Sequence, residues 1–334
     1  MKRLFALILA LLSLTSCASM LEREAVYTAD HVEDVPSSPG DAYWVNTFSG
    51  LCSALRPYVE EGMEEGSLRF PTTYPGNLTV DLEKAKRKLL EEDPLGCYAV
   101  EDVSFHVSRI ITYYDVKVTF DYRVPPEKYM AMDTVYDPAE LDGWVEKTIG
   151  NFDEGFTLLL ALPGASDTAL ADSLRRVYDR CPQTAFGYPE LQVTYYPEDG
   201  TRVVAEVTFL YSESPIALRL RQRTTLRAAQ ELADGELAAV DGHDTAAIYR
   251  AVVERFAYDR SGGSTTGAAF LDGKANDEGL ARAYLLLCRL KDNEGAAIKP
   301  GPDGWEATDG DTPLLFKPQD PSVTQLTTEG GETP

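Results

Sequence analysis

The sequence predicts an α+β protein with two tandem α-β-α-β-β repeat units. Comparing the chain with itself at an offset of 89 residues aligns Glu65-Gly66 with the same dipeptide at 154–155, and VTFDY at 118–122 with VTFLY at 207–211. In both stretches an amphipathic helix precedes a strand in which apolar and polar residues alternate. An antiparallel hairpin with one apolar face must be covered, and two helices per unit can cover it from one side of the sheet.

The first 16 residues are interpreted as the signal peptide of a lipoprotein. Lys2 and Arg3 form a positive end, and an apolar run from Leu4 to Leu14 follows. As a helix that run spans about 16 Å, well short of the roughly 30 Å of bilayer hydrocarbon. It therefore predicts an export signal and not a membrane anchor.

Cys17 is the predicted lipidation site. The Leu-Thr-Ser at 14–16 before it resembles the lipobox of bacterial lipoproteins, in which the cysteine is diacylated and becomes the first residue of the mature chain. The resemblance implies a lipid-anchored protein on the extracytoplasmic face of a bacterial cell membrane. The alternative is an ordinary secretory signal cleaved after Ala18 or Ser19. Residues 17–42 are acidic and lack apolar periodicity, which predicts a tether.

The composition is strongly acidic, with 31 Lys and Arg against 54 Asp and Glu and a net charge of -23. No basic stripe is evident, and an acidic surface repels phosphate backbones, so nucleic acid is excluded as a partner. Three His supply little material for a metal site, and neither metal nor cofactor is expected. Among Cys52, Cys97 and Cys181, the sequence leaves open a disulfide between the last two or free buried thiols.

The two repeat units are placed at 43–125 and 137–225. The predicted elements of the first unit are a helix, a strand and a helix at 45–62, 67–71 and 79–92, and those of the second are at 138–150, 156–162 and 166–180. Two strands close each unit, and in the first Val116, Val118 and Phe120 alternate with polar residues. Neither unit holds a phosphate-binding loop, a serine–histidine pair or a metal-ligand cluster, so the tyrosines of their strands are assigned to packing.

From residue 240 onward the sequence predicts helices joined by a glycine-rich loop, and the repeat pattern ends. A helix is predicted in IYRAVVERFAYD, followed by a glycine-rich loop at 261–270 and a second helix within 271–290. Apolar residues three or four positions apart predict the buried face of the second helix: Leu280, Ala283, Tyr284 and Leu287.

LDGKANDEGLARAY at 271–284 resembles a motif of the transglutaminase-like domain found in bacterial surface lipoproteins, a fold of the papain-like cysteine hydrolase superfamily. In that family a helix ending in Tyr-Asp leads to a loop, and the motif cysteine then opens the core helix. The matching residues are Tyr258, Asp259, Gly267, Ala268, Gly273, Lys274, Ala275, Glu278, Gly279, Ala281, Arg282, Ala283 and Tyr284. The resemblance implies an abbreviated domain at 240–310, because the following tail, 311–334, is predicted to be irregular.

Asp277 occupies the nucleophile position of the family. An aspartate suits the start of a helix, where free amides and the dipole favour negative charge, but it does not form a thioester. The family's general base is a His on a strand after the helix, whereas His31, His106 and His243 all precede it. Asp309 matches the position of the family's orienting Asp. The resemblance therefore implies an inactive domain with no catalytic residue.

The expected function is binding or structure at the cell surface, with an unidentified protein, peptide or cell-wall partner. Four residues are predicted to contribute to binding: Tyr258, Asp277, Glu278 and Trp305. Two alternatives stay open. One is a transglutaminase-like or carboxylate-based hydrolase acting on a peptide or glycan, and the other is a solute-binding lipoprotein whose lobes are the two repeat units.

Overall fold

The computed structural model describes residues 42–162, 167–301, 304–309 and 312–315. The chain is a mixed α+β protein with small sheets, as predicted. It divides into two compact units, an N-terminal unit that ends at Met130 and a C-terminal unit that begins at Ala131. The predicted signal peptide, Cys17, the tether before residue 42 and the tail beyond residue 315 lie outside the described residues.

The N-terminal unit is built around one four-stranded sheet. Its described elements are β1 (Tyr43–Trp44), α1 (Phe48–Glu60), β2 (Glu65–Pro71), α2 (Leu78–Glu92), α3 (Pro94–Ala99), β3 (Val100–Arg109), β4 (Tyr113–Tyr122) and α4 (Pro126–Tyr129). The strand order is β1-β2-β4-β3, with β1 and β2 parallel and the other pairs antiparallel. The predicted alternation along β4 is confirmed, since Val116, Val118 and Phe120 are buried while Lys117 and Asp121 are exposed. The buried face shares one core with α1 and α2.

The C-terminal unit starts with a second four-stranded sheet and continues into a mostly helical part. Its described elements are β5 (Thr134–Val135), α5 (Pro138–Asn151), β6 (Gly155–Leu160), α6 (Asp167–Arg180), β7 (Glu190–Tyr196), β8 (Val203–Leu210), α7 (Pro215–Asp234), α8 (Thr245–Arg255), β9 (Ala257–Tyr258), α9 (Thr266–Asp272), β10 (Lys274–Ala275), α10 (Asp277–Leu290), β11 (Ala296–Gly301), β12 (Gly304–Asp309) and β13 (Thr312–Leu315). The first sheet has the order β5-β6-β8-β7, in which β5 and β6 are parallel.

The register of the second sheet differs by one residue from the 89-residue alignment. Glu65 lies opposite Thr119 in the first sheet, whereas the residue opposite Thr208 in the second is Gly155, one position further along than the alignment predicts. Gly155 has a φ of 154°, and a Cβ there would collide with the carbonyl oxygen of Val207. Only a glycine lets the two strands approach so closely at this point.

Helix α10 lies in the middle of the C-terminal core. Every residue from Gly279 to Cys288 is buried, and a helix that is buried on all sides is an interior element rather than a surface one. The four predicted core residues are among them: Leu280, Ala283, Tyr284 and Leu287. Helices α7, α8 and α9 and strands β11 and β12 pack around α10, so the rest of this part of the unit is assembled on it.

One prediction about this part was wrong. The glycine-rich segment 261–270 is helical from Thr266 onward, because the Thr266 Oγ1 donates a hydrogen bond to the Pro182 carbonyl at 2.7 Å and fixes the start of α9. Helix α7 runs through residue 225, the predicted end of the second repeat unit, without interruption. Its buried face, which includes Leu218, stabilises the helix across that boundary.

A short strand is described at the start of the tail. Strands β12 and β13 extend an antiparallel sheet in the order β11-β12-β13, so 312–315 is strand within a segment that was expected to be irregular. Pro300 and Pro313 lie on β11 and β13, the two edge strands. A proline has no N–H to donate, and an edge strand tolerates that loss.

The cysteines at four described positions are free thiols: Cys52, Cys97, Cys181 and Cys288. Of the two states left open, the free one is therefore observed for Cys97 and Cys181. Burial raises the pKa of both thiols to about 11, because a thiolate is poorly solvated in the protein interior. Among the residues that are described, no helix is long and apolar enough to cross a bilayer.

Candidate functional site

The candidate site lies at the start of α10, where the sequence resembles the transglutaminase-like motif. Asn276 is the N-cap, and its Oδ1 accepts a hydrogen bond from the Gly279 amide at 2.9 Å. Asp277 is the first residue of the helix and is half-buried. Its position in the first turn is as predicted, while the capping role belongs to Asn276. The positive end of the helix dipole favours the carboxylate there.

The glycine-rich loop packs directly on this end of the helix. A Cβ on Gly279 would lie 2.5 Å from the carbonyl oxygen of Gly263, and one on Gly262 would lie 2.9 Å from that of Asp259. The Asn276 amide donates to the Gly263 carbonyl at 3.3 Å. Close approach of two backbone segments therefore explains the motif glycine Gly279 and the loop glycine Gly262, with no ligand required.

Tyr258 and Asp259 join the loop to the helix start. Strands β9 and β10 form a short parallel pair in which Tyr258 lies opposite Ala275, and Tyr258 packs half-buried against the core. The Asp259 carboxylate accepts hydrogen bonds from Lys274 Nζ at 2.9 Å and Ser261 Oγ at 2.7 Å. Lys274, and then Ser261, lower the pKa of Asp259 to about 2, because both stabilise the charged form.

A buried arginine dominates the first turns of α10. The side chain of Arg282 is 1% exposed. Its Nη1 donates to the Tyr178 carbonyl at 2.6 Å, and its Nη2 donates to carboxylate oxygens of Asp179 and Glu278, both at 2.8 Å. The guanidinium also lies between two rings, 4.4 Å from the centroid of Tyr178 and 5.3 Å from that of Trp305. These five residues are called the Arg282 cluster below.

The cluster joins helix α10 to helix α6, which carries Tyr178 and Asp179. Burial raises the pKa of Tyr178 to about 12, although the nearby Arg282 works in the opposite direction. Two carboxylates face one guanidinium, and each is about a quarter exposed, with side-chain exposures of 22% for Asp179 and 28% for Glu278. A buried charge that is paired, hydrogen-bonded and stacked in this way serves as a strong attachment point.

The predicted binding residues are only partly brought together. Glu278 and Trp305 meet at Arg282, while no contact to the cluster is described for Tyr258 or Asp277. Asp309 is in β12, where its backbone lies opposite Ala296; its side chain is outside the described part. Arg282 itself belongs to the matched motif but was not predicted as a site residue. The sequence marks Arg282 only as a single cation on an otherwise apolar face of the helix.

The described histidine of the C-terminal unit lies away from Asp277. His243 is exposed, and its neighbour Gly242 accepts a hydrogen bond from Asn293 Nδ2 at 3.0 Å. Asn293 follows the C-terminal end of α10, a 14-residue helix that spans about 21 Å. His243 is therefore at the end opposite to Asp277. His106 is an exposed residue of β3 in the N-terminal unit.

Among the described residues of the C-terminal unit, two cavities stand out, and neither is lined by a predicted binding residue. The larger, of about 670 Å³, lies among α7, α8 and α9, with Phe256 and Phe270 in its wall and Arg250 and Arg255 beside them. The smaller, of about 400 Å³, includes Cys181 in its lining. Within the described ranges no group of three or more His, Cys, Asp or Glu could hold a metal ion.

No family model matches this chain, and no curated protein is significantly similar to it.

Proposed function

We propose that the chain is a lipid-anchored protein of the bacterial cell surface, and that residues 240–310 are a transglutaminase-like domain that serves binding or structure instead of catalysis. The two tandem sheets are proposed to be copies of one repeat. Their identical strand orders, together with the matches at 118–122 and 207–211, support this relationship.

The proposal is supported by the contacts that the motif residues make at the start of α10. Gly279 allows the loop to approach, and Arg282, which is paired with Glu278 on its own helix, attaches α10 to Tyr178 and Asp179 of α6. Where a catalytic domain needs a thiolate next to a base, this chain has Asp277, and the described His243 is at the far end of the helix. An aspartate without a positioned base cannot carry out acyl transfer by the cysteine mechanism.

The test of inactivity uses a fluorescent primary amine and a glutamine-containing peptide. We expect neither amine incorporation into the peptide nor an acyl adduct in the intact mass of the protein. Turnover that is abolished by Asp277→Ala, and retained in the matched exposed control Asp272→Ala, would contradict the proposal. Asp277→Cys should react readily with a thiol reagent. The helix N-terminus lowers the pKa of the new thiol, and the half-buried position leaves it accessible.

The test of the anchor is the mass of the mature N-terminal peptide after expression in a bacterium. We expect a diacylglyceryl group on Cys17, and we expect Cys17→Ala to move the protein from the membrane fraction to the soluble fraction. An unmodified N-terminus beginning after Ala18 or Ser19 would show an ordinary secretory signal instead.

The test of binding is a thermal shift with peptidoglycan fragments, peptides and small solutes. A ligand that binds the folded state at about 100 times its Kd stabilises that state by about 2.7 kcal/mol. A shift with wall fragments or peptides supports a surface-binding role. A shift with small solutes alone would instead favour the solute-binding alternative.

A further inference from the structure

Helix α7 presents, from Ile216 to Arg227, an outer face that is both basic and aliphatic, while its last turns carry the exposed acidic residues Glu231 and Asp234. Four arginines fall within nine residues of the helix: Arg219, Arg221, Arg223 and Arg227. This is a local concentration of positive charge that the overall net charge of -23 conceals, and it corrects the expectation that no basic stripe interrupts the acidic composition. Two large aliphatic side chains lie on the same helix and are strongly exposed, Ile216 at 78% and Leu220 at 62%.

These residues share one side of the helix. Ile216, Leu220, Arg223 and Arg227 follow the spacing of four, three and four residues that places side chains along one stripe, and Arg219 lies at its edge. The opposite side is buried in the unit and includes Leu218, Thr225, Ala229, Leu232 and Ala233. We call the five exposed residues the α7 stripe.

The positive charge of the stripe is only partly neutralised. Arg219 contacts Asp153 at 3.5 Å in a pair that is half exposed on both sides, and Arg221 pairs with Glu213 beside the stripe. For Arg223 and Arg227, both exposed, no ion pair is described. An exposed pair such as Arg219–Asp153 contributes little and is readily exchanged for another anion.

We propose that the α7 stripe docks on an anionic lipid surface. Cations combined with exposed aliphatic side chains on one helix face are the features of an interfacial helix, in which the aliphatic groups enter the acyl boundary and the arginines bind headgroup phosphates. The aliphatic pair distinguishes this partner from a soluble polyanion, which would need the arginines alone. The inference goes beyond the proposed function, and it does not require the N-terminal lipid.

The test uses the chain from residue 17 onward with Cys17→Ser, so that no acyl chain contributes. Co-sedimentation with vesicles of equal parts phosphatidylcholine and phosphatidylglycerol is compared with co-sedimentation with phosphatidylcholine alone. We expect binding to the anionic vesicles only, weakened by salt. Arg223→Gln with Arg227→Gln should lower the partition coefficient by about 30-fold, from about 1 kcal/mol for each arginine near an anionic surface. Ile216→Ser with Leu220→Ser should also reduce it.

Two matched controls separate the stripe from general effects. Arg250→Gln with Arg260→Gln makes the same charge change at other exposed sites of the C-terminal unit. Ile110→Ser with Ile111→Ser removes another exposed aliphatic pair, 41% and 95% exposed, from the N-terminal unit. Both should leave vesicle binding unchanged. Failure of the wild type to bind anionic vesicles, equal losses in the controls, or binding to inorganic phosphate or polyglutamate without binding to vesicles would each overturn the proposal.

Discussion

Replacing Arg282 by Met should strongly destabilise the C-terminal unit. The substitution keeps much of the side-chain volume but removes the guanidinium, which leaves the Tyr178 carbonyl and the carboxylates of Asp179 and Glu278 without their donor. Removing one partner of a buried ion pair costs about 3–5 kcal/mol. Because both carboxylates are partly exposed, water can replace some of the lost bonds. We therefore expect the lower end, about 3 kcal/mol.

The assay is urea unfolding followed by circular dichroism, with attention to the transition of the C-terminal unit. With an m-value of about 2 kcal/mol per M, a loss of about 3 kcal/mol lowers the midpoint by about 1.5 M. Arg282→Lys should recover only part of the loss, since an ammonium makes neither the forked hydrogen bonds nor the stacked contacts of the guanidinium. Arg175→Met, on the exposed side of α6, is the matched control and should change stability by less than about 0.5 kcal/mol.

The stability of a triple variant tests whether unpaired carboxylates cause the loss. If unpaired carboxylates cause the loss, Arg282→Met combined with Asp179→Asn and Glu278→Gln should be more stable than Arg282→Met alone. An Arg282→Met protein that unfolds at the wild-type midpoint would refute the reasoning, because the guanidinium would then make no net contribution to attaching α10 to α6.

Three further predictions concern the same unit. Gly279→Ala should destabilise it by about 1–3 kcal/mol, because its Cβ would meet backbone that cannot move away. In the same urea titration Gly143→Ala, exposed in α5 with open space around its Cβ, should stabilise by about 0.5–1 kcal/mol; equal effects of the two changes would contradict this account. The Asp259 carboxyl should titrate near pH 2 by NMR, and its pKa should rise toward the usual value in Lys274→Gln. Since the folded-state pKa is lowered, its contribution to stability is present above about pH 4 and is lost as the pH falls toward 2. Cys181 should react slowly with a thiol reagent in the native protein and rapidly in urea, because burial raises its thiol pKa to about 11; fast native labelling would show that the site is open.

Local pattern predicted most helices of this chain well. The helix expected at 138–150 is observed as Pro138–Asn151, because Asp137 caps it and the proline sits at the first helical position. The helix expected at 79–92 is observed as Leu78–Glu92 for a similar reason, with Asn77 as its cap. In both, apolar spacing and terminal signals pointed to the same boundaries.

The Arg282 cluster could not be predicted in the same way. Tyr178 and Asp179 are more than 100 residues before Arg282, and periodicity carries no information about which distant helix a cation will meet. The sequence did place Glu278 one turn before Arg282, where an ion pair within the helix is expected. The partners from α6 meet Arg282 only through tertiary packing, which a local pattern does not show.

The sequence pattern does not predict helix α7, for a different reason. Its exposed arginines and aliphatic residues on one side blur the amphipathic contrast that marks a surface helix. The net charge of the whole chain also concealed its local positive charge. A count of charge in short windows would have found it.

The enclosure of α10 by its own unit has a consequence for exchange with solvent. Amide protons in the buried stretch Gly279 to Cys288 should not exchange through small local openings, because none of these residues is exposed to water. Deuterium uptake between Leu280 and Cys288 should therefore follow the global unfolding of the unit. Helix α7, three helices earlier in the chain, has a solvent-facing side, and the amides on that side should exchange before those of α10. The lifetime of the most protected amides in α10 thus measures how long the whole unit stays closed.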